Sequence, residues 1–164
     1  MSTSILYHGW GLVGYDYRST RYEGGAMIFC VEPKDQTVCC PECGREHVVR
    51  RGAKVRQFRA LPIGNKPVFI EARVQRVFCE ECKIVRPANL RFADPRVTYT
   101  RQVERFALDL LRSMTIQDVA RHLGLSWDTV KDIQKRDLQA RFARPPLRKM
   151  CQRRLKTDPP TGEI

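Results

Sequence analysis

The sequence predicts an α+β chain: a β-rich zinc-binding half with two cysteine knuckles, followed by a three-helix helix-turn-helix bundle. Three observations carry this. Two C-x-x-C turns, Cys40–Cys43 and Cys79–Cys82, enclose apolar alternation of period two. From residue 101 the apolar period changes from two to about 3.6. The 164 residues hold 30 Lys and Arg against 18 Asp and Glu, a net charge of +12, which points to a polyanionic partner, most simply nucleic acid.

The elements follow in order. Residues 5–31 read as strands: Tyr15, Tyr17 and Tyr22 alternate with polar residues, and Gly24-Gly25 marks a turn before AMIFCV. Two β-runs, KVRQFRAL (54–61) and PVFIEARVQRVF (67–78), are joined by Pro62-Ile63-Gly64-Asn65-Lys66. In the second run Val68, Ile70, Ala72 and Val74 fall on one side, with Arg76 continuing the series. Pro87 and Pro95 bracket a linker. The expected division is a zinc-binding domain over 1–95, a helix-turn-helix domain over 96–144, and a basic, Pro-containing, loose tail over 145–164.

Cys40-Pro-Glu-Cys43-Gly44 and Cys79-Glu-Glu-Cys82-Lys83 each place two thiolates for one ion, and together they supply the four sulfur donors of tetrahedral zinc. Gly44 permits the first turn, and Lys83 offsets negative charge at the second. The 35 residues between the pairs exceed the usual spacing, and a hairpin that starts at one knuckle and returns to the other accounts for them. Cys39 offers a C-x-x-x-C alternative; Cys40 gives both turns the same spacing. His47 is the rival ligand, Cys30 reads as core in an apolar strand, and Cys151 has no assigned role. Four thiolates leave no open position for water, so one structural zinc is expected and no catalytic residue.

Three helical patterns occupy 101–142. Val103, Phe106, Ala107, Leu110, Leu111 and Met114 make the first stripe. Thr115 caps the second helix, with Asp118 in a capping-box position; its core face is Ile116, Val119, Ala120 and Leu123, and Gly124 ends it. Ser126 caps the third, whose core face reads Trp127, Val130, Ile133 and Leu138. A small Ala120, a Gly124 turn and a branched Val130 describe a DNA-binding helix-turn-helix, with a plain three-helix bundle as the alternative. The DNA-contact set is Ser126, Trp127, Asp128, Thr129, Lys131, Asp132 and Lys135 on the third helix. Asp128 suits the helix N-terminus, and Asp132 accepts from cytosine or pairs with Lys135 or Arg136. From the zinc half, Arg45, Arg50, Arg51 and Arg56 are added as phosphate contacts.

No apolar run approaches the ~18 residues of a membrane span. MSTSILYHGW lacks a basic n-region and an apolar h-region, so a cytoplasmic, nucleoid-associated protein is expected. In a reducing compartment the seven cysteines are not a disulfide framework.

The order of CPECG, RGAKVRQFRALPIGNKPV, RVFCEEC and YTRQVERFALDLLRSMTIQDVARHLGLSWDTVKDIQKRDLQARF resembles the N-terminal part of the ISL-three family of bacterial insertion-sequence transposases, over roughly residues 5–150. The resemblance implies zinc ligands Cys40, Cys43, Cys79 and Cys82 and a DNA-reading helix starting at Ser126, together recognising terminal inverted repeats in double-stranded DNA. In the family an RNase H-like domain with three carboxylates and magnesium follows, opening on an Ile-Asp-Glu motif. Here PLRKM is followed by CQRRLKTDPPTGEI, and Asp158 and Glu163 are no substitute for that motif. The expectation is therefore a DNA-binding module that does not catalyse, with no small-molecule substrate, acting as a homodimer or beside a catalytic transposase chain. A regulator or repressor of transposition or transcription, and the DNA-binding half of a split transposase, are the alternatives.

Overall fold

The computed structural model describes residues 5–34 and 38–143. In chain order these form α1 (Ile5–Trp10), β1 (Tyr15–Glu23), β2 (Ala26–Pro33), β3 (Val48–Ile63), β4 (Lys66–Cys79), β5 (Ile84–Pro87), α2 (Arg101–Leu110), α3 (Ile116–Leu123) and α4 (Trp127–Phe142). The expected tail, with Cys151, Asp158 and Glu163, lies outside the described residues.

The strands make one sheet in the order β1-β2-β4-β3, with β5 also on β4. β4 is the central strand. It runs antiparallel to β3 from Val48↔Cys79 to Ile63↔Lys66. Its other edge is shared: β2 pairs in parallel from Met27↔Val68 to Val31↔Ala72, and β5 antiparallel from Arg76↔Pro87 to Cys79↔Ile84. The predicted hairpin is therefore present and longer than its apolar signal, because its polar, basic end is held by ladder hydrogen bonds rather than by burial.

Val68, Ile70, Ala72 and Val74 are all buried on one face of β4, as their alternation predicts. Arg76 does not continue the series. It is exposed, and Val77 and Cys79 are buried instead. The phase changes where Arg51 and Gly52 of β3 face the single Arg76, a bulge with Gly52 at φ 84°. Up to Val74 the strand buries the face that packs under α1; past the bulge it buries the opposite one.

Residues 5–10 are helix rather than strand. Leu6 and Trp10, four apart, share one helical face and close the main core with Phe29, Phe58, Val68, Ile70 and Phe92. The Trp10 indole N–H donates to the Leu61 carbonyl at 3.0 Å. The stretch after Pro87 is no free linker, since Phe92 and Ala93 are buried in this same core. Cys30 is half-buried rather than core: it faces away from the packed side, and its thiol donates to Glu71 Oε1 at 3.4 Å.

A second core joins the helices through Tyr99, Val103, Ala107, Val119, Ala120, Leu123, Val130 and Ile133. Leu61 packs against both cores. Among the described residues there are four helices rather than three, α1 belonging to the sheet. None is long and apolar enough to cross a membrane.

Trp127 and Leu138 depart from the predicted core face of α4, being 44% and 47% exposed. At about 100° per residue, Leu138 lies about 140° around the helix from Ile133, and Trp127 precedes the first residue that reaches the bundle. Phe58, fully buried between sheet and α1, is the sharpest test of the first core. Phe58→Ala should lower the unfolding free energy by about 3–5 kcal/mol. Urea titration followed by Trp10 emission reads the change, and a loss below about 1 kcal/mol would contradict the packing described.

Candidate metal centre and nucleic-acid interface

The hairpin brings the two knuckles together. The ligating atoms of Cys40, Cys43, Cys79 and Cys82 all lie within 4.8 Å of one another. Cys40 and Cys82 sulfurs are 4.0 Å apart, and Cys43 and Cys79 sulfurs 3.7 Å. Zinc–sulfur bonds of ~2.3 Å in a tetrahedron require sulfurs ~3.8 Å apart, so the quartet has the size of a zinc site. Cys40 is the residue brought in. Cys39 lies outside the quartet and lines, with Arg50, Arg73 and Arg91, a cleft of ≈ 780 Å³. His47 is exposed and also outside.

The two knuckles share a left-handed residue just after their second cysteine. In the first, the Cys40 N–H donates to the Arg45 carbonyl at 2.8 Å and the Gly44 N–H to the Cys40 carbonyl at 2.9 Å, with Gly44 at φ 73°. In the second, Lys83 stands where Gly44 stands in the first, at φ 55°, the one left-handed non-glycine among the described residues. Sequence alone assigns Lys83 only a charge; the signal for its conformation is the alignment of CPECG with CEECK. Arg45 pairs with Glu81 and Arg86 with Glu42, so one acidic residue of each knuckle meets an arginine at or beside the other knuckle.

The thiols do not ionise alike. The Cys43 backbone N–H, ahead of other causes, brings the Cys40 thiol down to about 7. Cys82 is pushed up to about 12, first by its hydrogen bond with Cys43 and next by loss of water contact. Four thiolates at this spacing coexist only around a cation that offsets their repulsion. The donor set fits one structural zinc, closed to water.

The basic residues of the zinc half divide by what already holds them. Arg45 is exposed but paired to Glu81. Arg50 is exposed at the rim of the cleft. Arg51 is exposed, with its guanidinium 5.6 Å from the Phe78 ring centre. Arg56 is half-buried: it donates to the Pro95 carbonyl at 2.6 Å and the Val97 carbonyl at 2.9 Å, and lies over the Phe58 ring. These contacts place it inside the joint between sheet and helices. Arg59, to which sequence alone gives no role, is in the same joint and donates to the Leu123 carbonyl.

The caps of the helical half stand where the sequence places them. Thr115 Oγ1 accepts from the Asp118 N–H at 3.2 Å and donates to Asp118 Oδ2 at 2.7 Å. Gly124 turns at φ 62°, and the Leu125 N–H returns to the Ala120 carbonyl at 3.0 Å, satisfying the end of α3. Ser126 Oγ accepts from the Thr129 N–H at 3.2 Å and shares a 2.7 Å contact with the Thr129 hydroxyl. Val130 and Ile133 are fully buried, while Asp128, Lys131, Asp132 and Lys135 are exposed and Thr129 half-buried. Lys131 Nζ sits 4.9 Å from the Trp127 ring centre. Arg136 turns to Glu104 at 3.1 Å and to the Tyr99 hydroxyl, so Asp132 keeps only a backbone contact with it.

Comparison with known proteins bears on both halves. A family model described as the zinc-finger of transposase IS204/IS1001/IS1096/IS1165 matches residues 36–82. A second, the helix-turn-helix domain of transposase family ISL3, matches residues 88–137. The chain carries the zinc-finger and helix-turn-helix domains of ISL3-family transposases. It is 29% identical over 122 residues to the transposase for insertion sequence element IS1001 of Bordetella parapertussis. That match covers 74% of this chain and 30% of the relative, so the chain corresponds to under a third of the relative's length. No solved structure matches.

Two substitutions test the metal centre. Cys40→Ser should remove zinc and lower the thermal midpoint sharply, because metal binding and folding share one free energy in small zinc domains, whereas Cys39→Ser should leave zinc content unchanged. Zinc retained in Cys40→Ser and absent from Cys39→Ser would move the first ligand. Lys83→Gly should stabilise the zinc-bound chain by about 1 kcal/mol, since glycine adopts the left-handed turn without a Cβ penalty. A lower midpoint for Lys83→Gly would show that its side chain contributes more than its backbone costs.

Proposed function

We propose that the chain is the DNA-binding part of an insertion-sequence transposase. One zinc on Cys40, Cys43, Cys79 and Cys82 holds the β-rich half, and α4 reads the terminal inverted repeats of the element. The domain matches support DNA binding as the class of function. The observation that carries the assignment to α4 is its two-sidedness. Val130 and Ile133 are buried, while Trp127, Asp128, Lys131, Asp132 and Lys135 fall within one arc of about 140° on the other side. A helix presented so, after a tight left-handed turn, is the element that enters the major groove.

Within that arc the chemistry divides. Lys131 and Lys135 are donors open to guanine or phosphate. Trp127 offers an apolar face at the first turn, where recognition helices meet base edges, and Lys131 over its ring keeps cation and ring in one place. Asp128 sits at the positive end of α4. Asp132 is left to accept from a cytosine amino group. In the zinc half Arg50 and Arg51 are the exposed phosphate contacts and Arg45 joins them on releasing Glu81, whereas Arg56 acts by holding residues 95–97.

The chain on its own cuts no DNA. Strand cleavage belongs to the remainder of a transposase of the relative's length, or to a separate chain in a split enzyme; a regulator of the element would use the same DNA-binding surface.

Duplex DNA selected from a random pool by the zinc-loaded chain should be bound with a steep salt dependence, removal of each phosphate-binding cation lowering the slope of log K against log salt by about 0.9. Lys131→Ala with Lys135→Ala should erase about 1–3 kcal/mol of discrimination for each base that the lysines read. Arg51→Ala should weaken all sequences alike. Arg56→Ala should instead lower the thermal midpoint. Unchanged selectivity in the Lys131 and Lys135 variants would reduce the helices to a structural bundle, and magnesium-dependent nicking by the pure chain would overturn the non-catalytic assignment.

A further inference from the structure

The joint between the zinc ribbon and the helices is built from one strand, and one residue of that strand reaches two helices. The Arg59 backbone N–H donates to the Thr98 carbonyl at 2.7 Å, and its carbonyl accepts from the Thr100 N–H at 2.9 Å. Thr100 is the fully buried N-cap of α2. The Arg59 guanidinium donates from Nε at 3.2 Å and from Nη2 at 2.9 Å to the Leu123 carbonyl, the last of α3. It lies 5.1 Å from the centre of the Phe69 ring on β4, which fixes its direction from the other side. Arg59 thus ties the start of α2 and the end of α3 to the sheet, and α4 packs on both helices through Val130 and Ile133.

The turn itself is fitted to this contact. A Cβ on Gly124 would stand 2.7 Å from Arg59 Nη2, so glycine here leaves room for the guanidinium as well as taking φ 62°. Two neighbours on β3 reinforce the joint: Arg56 holds the Pro95 and Val97 carbonyls, and Leu61 packs into both cores. Nothing in this arrangement resembles a tether between independently tumbling units. The other end of β3 begins at Val48, paired with Cys79 in the metal centre.

We propose that Arg59 is a positioning residue for sequence readout: it holds α4 at one offset from the zinc ribbon, so that the chain reads two duplex segments at a single spacing. This rests on the DNA-binding reading above and adds to it a constraint on the target. One inserted base pair moves the second segment by about 3.4 Å and turns it by about a tenth of a helical turn. A flexible pair of binding units absorbs that change; a clamped pair does not.

The test uses the full zinc-loaded chain and a duplex that it selects from a random pool. Footprints of Arg51→Ala and of Lys131→Ala with Lys135→Ala identify the segment each half protects, and one to three base pairs are then inserted between the segments. For the unaltered chain a single insertion should weaken binding by about tenfold or more. In Arg59→Met, which keeps the stem and loses the donors, binding at the selected spacing should weaken while the insertion penalty falls below about threefold. Arg59→Lys, keeping one donor, should restore part of the penalty. Indifference of the unaltered chain to insertions, a single protected segment, or a full penalty in a folded, zinc-retaining Arg59→Met would each overturn the proposal. The unaltered chain's insertion series decides alone if the Arg59 variants unfold. Failure to select any duplex would instead overturn the DNA-binding reading itself.

Discussion

A guanidinium set against the last carbonyl of a helix connects two structures that differ in how they are stabilised. Arg59 is half-buried, and loss of water draws its pKa below the ordinary arginine value, yet it stays charged because arginine has far to fall. Its desolvation is offset by the Leu123 carbonyl and the Phe69 ring, a charge-assisted bond and a cation–π contact in one place. Lysine lacks the planar fork that serves carbonyl and ring together. Without Arg59 the Leu123 carbonyl would lose its side-chain donors at a half-covered turn.

Zinc completes what burial leaves unfinished at the opposite end of the hairpin. The main core ends near Val74; beyond it, β4 buries Val77 and Cys79 outside that cluster, and β3 exposes Val49, Arg50 and Arg51. So short a ladder has little apolar area to offset the entropy of ordering it. A metal that joins residues 40–43 to residues 79–82 closes a loop of 35 residues and supplies stabilisation the side chains there do not. A closed sulfur site is suited to this task and unsuited to hydrolysis, so the centre serves the architecture of the β-rich half.

What is legible in the sequence is what depends on neighbours in the chain. The knuckles follow from C-x-x-C spacing, the caps at Thr115 and Ser126 from hydroxyls three residues ahead of a backbone N–H, and Gly124 from the left-handed turn. The β4 alternation is visible up to the bulge, because Arg51-Gly52 on another strand decides where it changes phase. What is hidden depends on distant partners. Ile5–Trp10 is too short to show a helical period, and it is helix because Leu6 and Trp10 cover the sheet. Trp127 and Leu138 look like core residues by type, but Trp127 precedes the first residue of α4 that reaches the bundle and Leu138 lies off the face that Ile133 buries. Arg56 reads in sequence as a phosphate contact and Arg59 has no assigned role, and tertiary carbonyls claim both.

That last point alters how the net charge of +12 bears on DNA binding. Arg18, Arg21, Arg45, Arg101, Arg121, Arg136 and Arg141 all pair with carboxylates, although most of these pairs are exposed and individually worth little. Their guanidiniums still contribute to the long-range field that draws a polyanion in, since a surface pair at this dielectric exchanges partners readily. Specific contact is a narrower matter, because it needs donors whose positions are fixed and whose valences are open. In the proposed reading Lys131 and Lys135 meet both conditions through α4, which packs by Val130 and Ile133 on α2 and α3. On the proposed function, steering is thus distributed over the chain, while readout is concentrated where the fold leaves cations without carboxylate partners among the described residues.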